Sequence, residues 1–127
     1  MATIEKFEDI KSWQKARDLC KSINTLTNKS EFARDWSLKD QIKRSSGSSM
    51  DNIAEGFDRN STKEFRQYLF ISKASTSEVK SQLYRALDQE YITKDEFNKA
   101  FVLATDVSKL IGGLLNYLKD KNIRKIN

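Results

Sequence analysis

At 127 residues and without a single proline, the chain is sized for one domain of long helices joined by short Gly, Asn and Asp turns, and it fits an all-β fold poorly. Histidine is absent, which removes Ser–His and Cys–His nucleophiles, His-ligated metals and the bundle ribonucleases that work through an Arg…His motif. Lys and Arg number 23 against 18 Asp and Glu, and the resulting +5 permits an anionic partner such as RNA, DNA or an acidic protein without requiring one.

The first amphipathic segment runs from about Phe7 to Thr27. Ile10, Trp13, Ala16, Leu19 with Cys20, Ile23 and Leu26 recur every three or four residues and form one stripe of a helix. Asn28, Lys29, Ser30 and their neighbours read as a polar connection. Asp35 or Ser37 is placed to cap the second helix. Leu38, Ile42, Ser45, Ser46, Ser49 and Ile53 share a face of that helix, and Gly56 is the glycine expected at its C-terminal end. Its run of small residues has weak helix propensity and points to close packing against a neighbour.

Asp58, Arg59 and Asn60 form the next turn, and Ser61 with Glu64 makes a capping-box pattern. The third helix extends to about Gln89 on a seam of Phe65, Leu69, Ser72, Thr76, Val79, Leu83 and Ala86. Thr93 with Glu96 opens a fourth helix, lined by Phe97, Ala100, Phe101, Ala104, Val107, Ile111, Leu114, Leu115 and Leu118. Residues 119–127 form a basic tail expected to fray. Short turns between long helices favour antiparallel neighbours. The predicted fold is all-α, an up-down-up-down four-helix bundle occupying residues 1–127 as a single domain.

The lone Cys20 cannot form an internal disulfide, so a reducing cytoplasm is the expected compartment. Met1 to Glu5 show no basic-then-apolar leader pattern. No uninterrupted apolar run approaches the roughly 20 residues of a membrane span, so no membrane partner is expected.

Candidate chemistry lies mainly on the third helix. Arg59, Arg66, Lys73 and Lys80 recur every seven residues on one side of the seam, and Glu64 and Glu78 share a position on the other. With Lys63, Lys43 and Arg44 nearby, the basic row fits a track for a phosphate backbone. The alternative is that these charges pair with adjacent helices or subunits, or face water. Asn52 and Glu55 read as a polar network that fixes helix register. Asp51 and Glu55, one turn apart, are the sole candidate for a nuclease-type metal pair, and two carboxylates fall short of such a site. The serines 45–49 lack the spacing of a phosphate-binding loop and fit a helix contact better. Trp36 suits a staple at the helix start, a subunit contact or base stacking.

Several of these residues in order resemble the four-helix-bundle proteins encoded in intervening sequences of bacterial 23S rRNA genes. The resemblance begins with Phe7, Ile10, Trp13, Ala16 and Leu19 and continues through Leu38 and Gln41-Ile42-Lys43-Arg44. Its most specific stretch is Ser49…Asn52-Ile53-Ala54-Glu55-Gly56, then Arg59, Ser61 and Glu64-Phe65; Ser75, Glu78 and Leu83 extend it. Ser72 stands where Ala is common and Ala74 where Gly is common. The resemblance implies a homopentamer and kinship with the accessory variability determinant of diversity-generating retroelements, a basic pentameric barrel that binds nucleic acid and partners a reverse transcriptase. It implies no catalytic activity.

The expectation is therefore a non-enzymatic, cofactor-free oligomer that presents Lys43, Arg44, Arg59, Lys63, Arg66 and Lys73 to structured RNA or DNA. The alternative is a scaffold for a protein such as a reverse transcriptase, and a carboxylate-dependent nuclease is the third reading.

Overall fold

A computed structural model of the chain describes residues 4–119. The tail expected to fray falls, from residue 120 onward, outside the described residues. A 3₁₀ turn, Phe7–Asp9, leads into α1, Lys11–Thr27; α2 is a short helix, Ser30–Arg34; α3 spans Trp36–Asp58, α4 Thr62–Asp88 and α5 Lys94–Leu118.

Three of the four long helices begin at a side-chain cap. The Asp35 carboxylate accepts from the Leu38 amide at 3.0 Å and so starts α3. The Ser61 hydroxyl accepts from the Glu64 amide at 3.3 Å at the head of α4. At α5 the box closes both ways: the Glu96 amide donates to Thr93 Oγ1 at 3.1 Å, and the Thr93 amide donates to Glu96 Oε1 at 2.9 Å. Asn60 and Glu90 take positive φ where α3 and α4 end.

The long helices pack in a ring, α1 beside α3, α3 beside α4, α4 beside α5 and α5 beside α1. Cross-helix partners run in opposite directions. On α3 and α4, Gln41 meets Arg85, Ser48 meets Ser75 and Gly56 lies against Tyr68. On α4 and α5, Tyr84 meets Phe97 and Lys80 meets Phe101. The end of α1 reaches the start of α5 through the Lys29–Glu96 ion pair. Every neighbouring pair of long helices with such contacts is antiparallel, the arrangement of a four-helix bundle. The seam residues Phe65, Val79 and Ile111 are all in the core.

Four details depart from the sequence reading. The connection after α1 contains α2, whose Phe32 is fully buried and stacks on Tyr91 with centroids 5.4 Å apart. Gly56 does not end α3, which continues to Asp58, and its φ is not positive. It is needed because a Cβ there would sit 2.4 Å from the Cβ of Tyr68. Trp36 is no staple, since it is 83% exposed. Finally, α5 is long and apolar enough to cross a membrane by length and composition. One side of it is core, from Phe97 to Leu118, yet only 28% of its most apolar stretch is buried.

Candidate nucleic-acid interface

The packing of α3 on α4 decides which side chains reach the surface. Its centre is a set of hydroxyls. Thr76 Oγ1 donates to the Ser72 carbonyl at 2.8 Å, so its proton is committed and Ser49 Oγ, 2.7 Å away, donates to it. The Ser72 hydroxyl in turn donates to the Ser49 carbonyl. Beside this lies a second pair, Ser48 and Ser75, with oxygens 2.8 Å apart. Small side chains let the two helices approach, and each buried hydroxyl finds a partner.

Asn52 and Glu55 fall into separate clusters. Asn52 Nδ2 donates to the carbonyl and hydroxyl of Ser48, both at 2.8 Å, and so joins the hydroxyl set. Glu55 is exposed and accepts from the Tyr68 hydroxyl at 3.2 Å and from Arg59 at 3.3 Å. Arg59 also donates to the Tyr68 oxygen at 2.6 Å and lies 5.2 Å from the centre of its ring. This hydrogen bond is the main reason the guanidinium is held more firmly protonated than usual. The cluster clasps the α3–α4 turn.

The six candidate cations divide by what holds them. Arg59 is engaged as just described, and Arg44 is anchored through Nε to Asp40 at 2.9 Å. Lys43, Lys63 and Lys73 are exposed, and no ion pair among the described residues includes them. Arg66 is half-buried, with its Nε closed to solvent and without a hydrogen-bond partner.

They also divide by position. Lys73 Nζ lies 4.0 Å from where a Cβ on Gly112 would stand, and Lys80 Nζ is 5.2 Å from the Phe101 ring centre. The heptad row Arg66, Lys73 and Lys80 therefore follows the side of α4 that meets α5. Arg44 lines a different feature, a cleft of about 330 Å³ between α3 and α4, opposite Ser75, Glu78 and Gln82. The sequence periodicity resolves the row on α4 but not this separation, which depends on how α3 is rotated against α4.

Other candidates are less reactive than their residue types suggest. Burial pushes the Cys20 thiol above its ordinary range, and its Sγ donates to the Ser46 carbonyl at 3.1 Å. Asp51 and Glu55 are exposed, and among the described residues no group of three or more His, Cys, Asp or Glu is placed to hold a metal ion. Sequence reasoning missed two buried polar residues, Ser12 and Gln82, whose Oγ and Oε1 have no hydrogen-bond partner. Their burial comes from neighbouring helices and leaves no local signature.

A second surface feature is an apolar groove of about 620 Å³ between the start of α1 and the end of α5, lined by Ile4, Ile10, Leu110, Leu114 and Tyr117 with Lys11 and Lys109 also present.

A family model described as 23S rRNA-intervening sequence protein matches residues 8–113. Among solved structures, a protein of unknown function from the S23 ribosomal protein family of Bacteroides thetaiotaomicron VPI-5482 aligns with a TM-score of 0.75 and 22% identity. The alignment covers 82% of this chain and 97% of that one, and at this identity it speaks for the fold alone. No curated protein matches the chain.

Proposed function

The chain belongs to the 23S rRNA-intervening sequence protein family, and on that premise we propose that it is a non-enzymatic bundle that self-assembles and binds structured RNA or DNA through exposed cations. The observation that carries this reading is the side of α4 facing α5. There, Arg66, Lys73 and Lys80 recur at heptad spacing without an acidic partner among the described ion pairs, and exposed Lys63 adds to the same helix. Flanking charges that served only to join helices would be expected in ion pairs. Lysine presents a flexible point charge, suited to phosphate and indifferent to base sequence. Lys43 and Arg44 extend the charge onto α3. A cytoplasmic setting accords with the lone thiol, Cys20.

Assembly is supported by α5. Val102 is 57% exposed and Leu103 is half-buried, while half-buried Leu110 and Leu114 line the apolar groove. A second copy of the chain is the occupant we propose for this face, with a homopentamer as the expected closed ring.

Binding of a structured RNA hairpin by the Lys63→Glu, Lys73→Glu double variant tests the phosphate reading. The expected result is at least a tenfold loss of affinity at low salt with an unchanged far-UV spectrum. Unchanged affinity would remove it. Binding that requires a divalent metal and ends in cleavage abolished by Asp51→Asn would point instead to the nuclease alternative.

A scaffold for another protein, for example a reverse transcriptase, is the second reading. Exposed Trp36, Phe70 and Ile71 favour it, since such side chains anchor protein interfaces. It predicts no measurable nucleic-acid affinity at low salt.

A further inference from the structure

We propose that the outer strip of α4 beside α5 binds an unpaired stretch of RNA or DNA, with the rings of Phe70 and Tyr84 stacking on bases and the cations between them holding phosphates. The proposal rests on the nucleic-acid reading above and deepens it by naming a single strand as what this surface takes.

The strip follows from spacing. Arg66, Phe70, Lys73, Ser77, Lys80 and Tyr84 recur at alternating steps of four and three residues, and Lys63 begins the pattern, so all share one side of the helix. Contacts of Lys73 with Gly112 and of Lys80 with Phe101 place this side against α5. On α5, Phe101, Thr105, Ser108 and Gly112 keep the same spacing, and none of them is acidic. The first carboxylate in the α4 pattern is Asp88, one turn beyond Tyr84 at the end of the helix. The cations Lys63, Arg66, Lys73 and Lys80 are therefore aligned with no carboxylate among them.

Charge alone leaves the rings unexplained. Phe70 is 54% exposed and Tyr84 is 51% exposed. A single apolar side chain at the surface is ordinary. These two stand fourteen residues apart on one strip, about 21 Å along the axis, each beside cations. Surfaces that bind single strands combine these same parts, a basic path for the backbone and rings on which bases stack.

Tyr84 is fixed before any base arrives. Its ring centre lies 4.8 Å from that of Phe97 and 5.7 Å from that of Phe101. Lys80 Nζ is 5.2 Å from the Phe101 ring centre and Lys94 Nζ is 5.8 Å from that of Phe97. Two ammoniums thus flank a ring that its neighbours already hold, and ordering it on binding costs little. In a duplex the bases stack on one another and offer these rings no face. A loop or a single strand does, so unpaired nucleic acid is the occupant that uses both the charges and the rings.

Fluorescence anisotropy of the full chain tests this with an oligothymidylate and an oligouridylate of about 15 nucleotides, and a DNA duplex of the same length, at one low salt concentration. One or both single strands should bind about tenfold more tightly than the duplex, and which of them does so tells DNA from RNA as the source. Phe70→Ala, at an exposed position, should weaken single-strand binding about fivefold or more. The slope of log affinity against log salt should stay the same, because no phosphate contact is lost. Tyr84→Leu should act likewise, whereas Tyr84→Phe, which keeps the ring, should restore the affinity. Phe70→Ala still decides if Tyr84→Leu disturbs the packing on Phe97 and Phe101. Duplex affinity equal to that of both single strands, or full single-strand affinity in the Phe70→Ala, Tyr84→Leu double variant, would overturn the stacking and leave phosphate binding standing. No binding of any of the three would overturn both and favour a protein partner.

Discussion

Glu90 has a φ of 61°, the left-handed conformation that side chains other than glycine adopt at a cost. It holds this geometry because it closes α4. Its amide donates to the Leu87 carbonyl at 2.9 Å, and the Tyr91 amide donates to the Ala86 carbonyl at 2.9 Å, the two bonds of a Schellman end. Glu90→Gly should therefore raise stability by about 0.5–1 kcal/mol, read from thermal or urea melts; a loss would mean the side chain matters more than its backbone. Gly56 is the opposite case. Gly56→Ala would drive a methyl group into Tyr68, and about 1–3 kcal/mol of destabilisation is expected from equilibrium unfolding. The sequence shows a glycine near a turn, which resembles a helix end. Its actual constraint is a side chain on the following helix, and that is a tertiary fact. Phe32 was hidden for the same reason: one aromatic residue in a five-residue helix offers no periodicity to read.

Among elements, the α3–α4 contact is the best test of how the bundle is held. Ser49 and Thr76 are fully buried and bonded to each other. Thr76→Val leaves the Ser49 hydroxyl without its acceptor and should cost about 1–3 kcal/mol. Adding Ser49→Ala should recover part of that loss, and a double-mutant cycle that came out additive would contradict the hydroxyl coupling. The start of α5 carries a pH dependence. The Lys29 ammonium first, and the Thr93 amide second, hold Glu96 below its ordinary carboxylate range. A lowered folded-state value means that this stabilisation is complete above the ordinary range, near pH 4, and is lost as pH falls through the lowered value. Glu96→Gln should flatten the acid side of a stability profile measured between neutral pH and pH 3, and an unchanged profile would exclude this link. Helix existence, the capping residues and the apolar seams were legible because each is local and periodic. The burial of Ser12 and Gln82 was not, because it depends on helix rotation.

For the whole molecule, the charges and the uncovered apolar face lead to separate expectations. Five of the six candidate cations, scattered in the sequence, become a lysine-bearing group on α4, a clasp at Arg59 and a cleft at Arg44, while Lys43 is exposed on α3. The heptad reading joined Arg59 to the α4 row, whereas the structure holds it on Tyr68 and Glu55. The apolar side of α5 should bring copies of the chain together, and sedimentation equilibrium at micromolar concentration should give a mass several times that of one chain; a monomer would leave that face without the proposed occupant. Phosphate binding through α4 is the central claim, and it is tested most directly by the slope of log affinity for a structured RNA against log salt, for the wild type and for Lys63→Ala with Lys73→Ala. Loss of two phosphate contacts predicts a slope shallower by about 1.4–1.8. Parallel lines for the two proteins would contradict it.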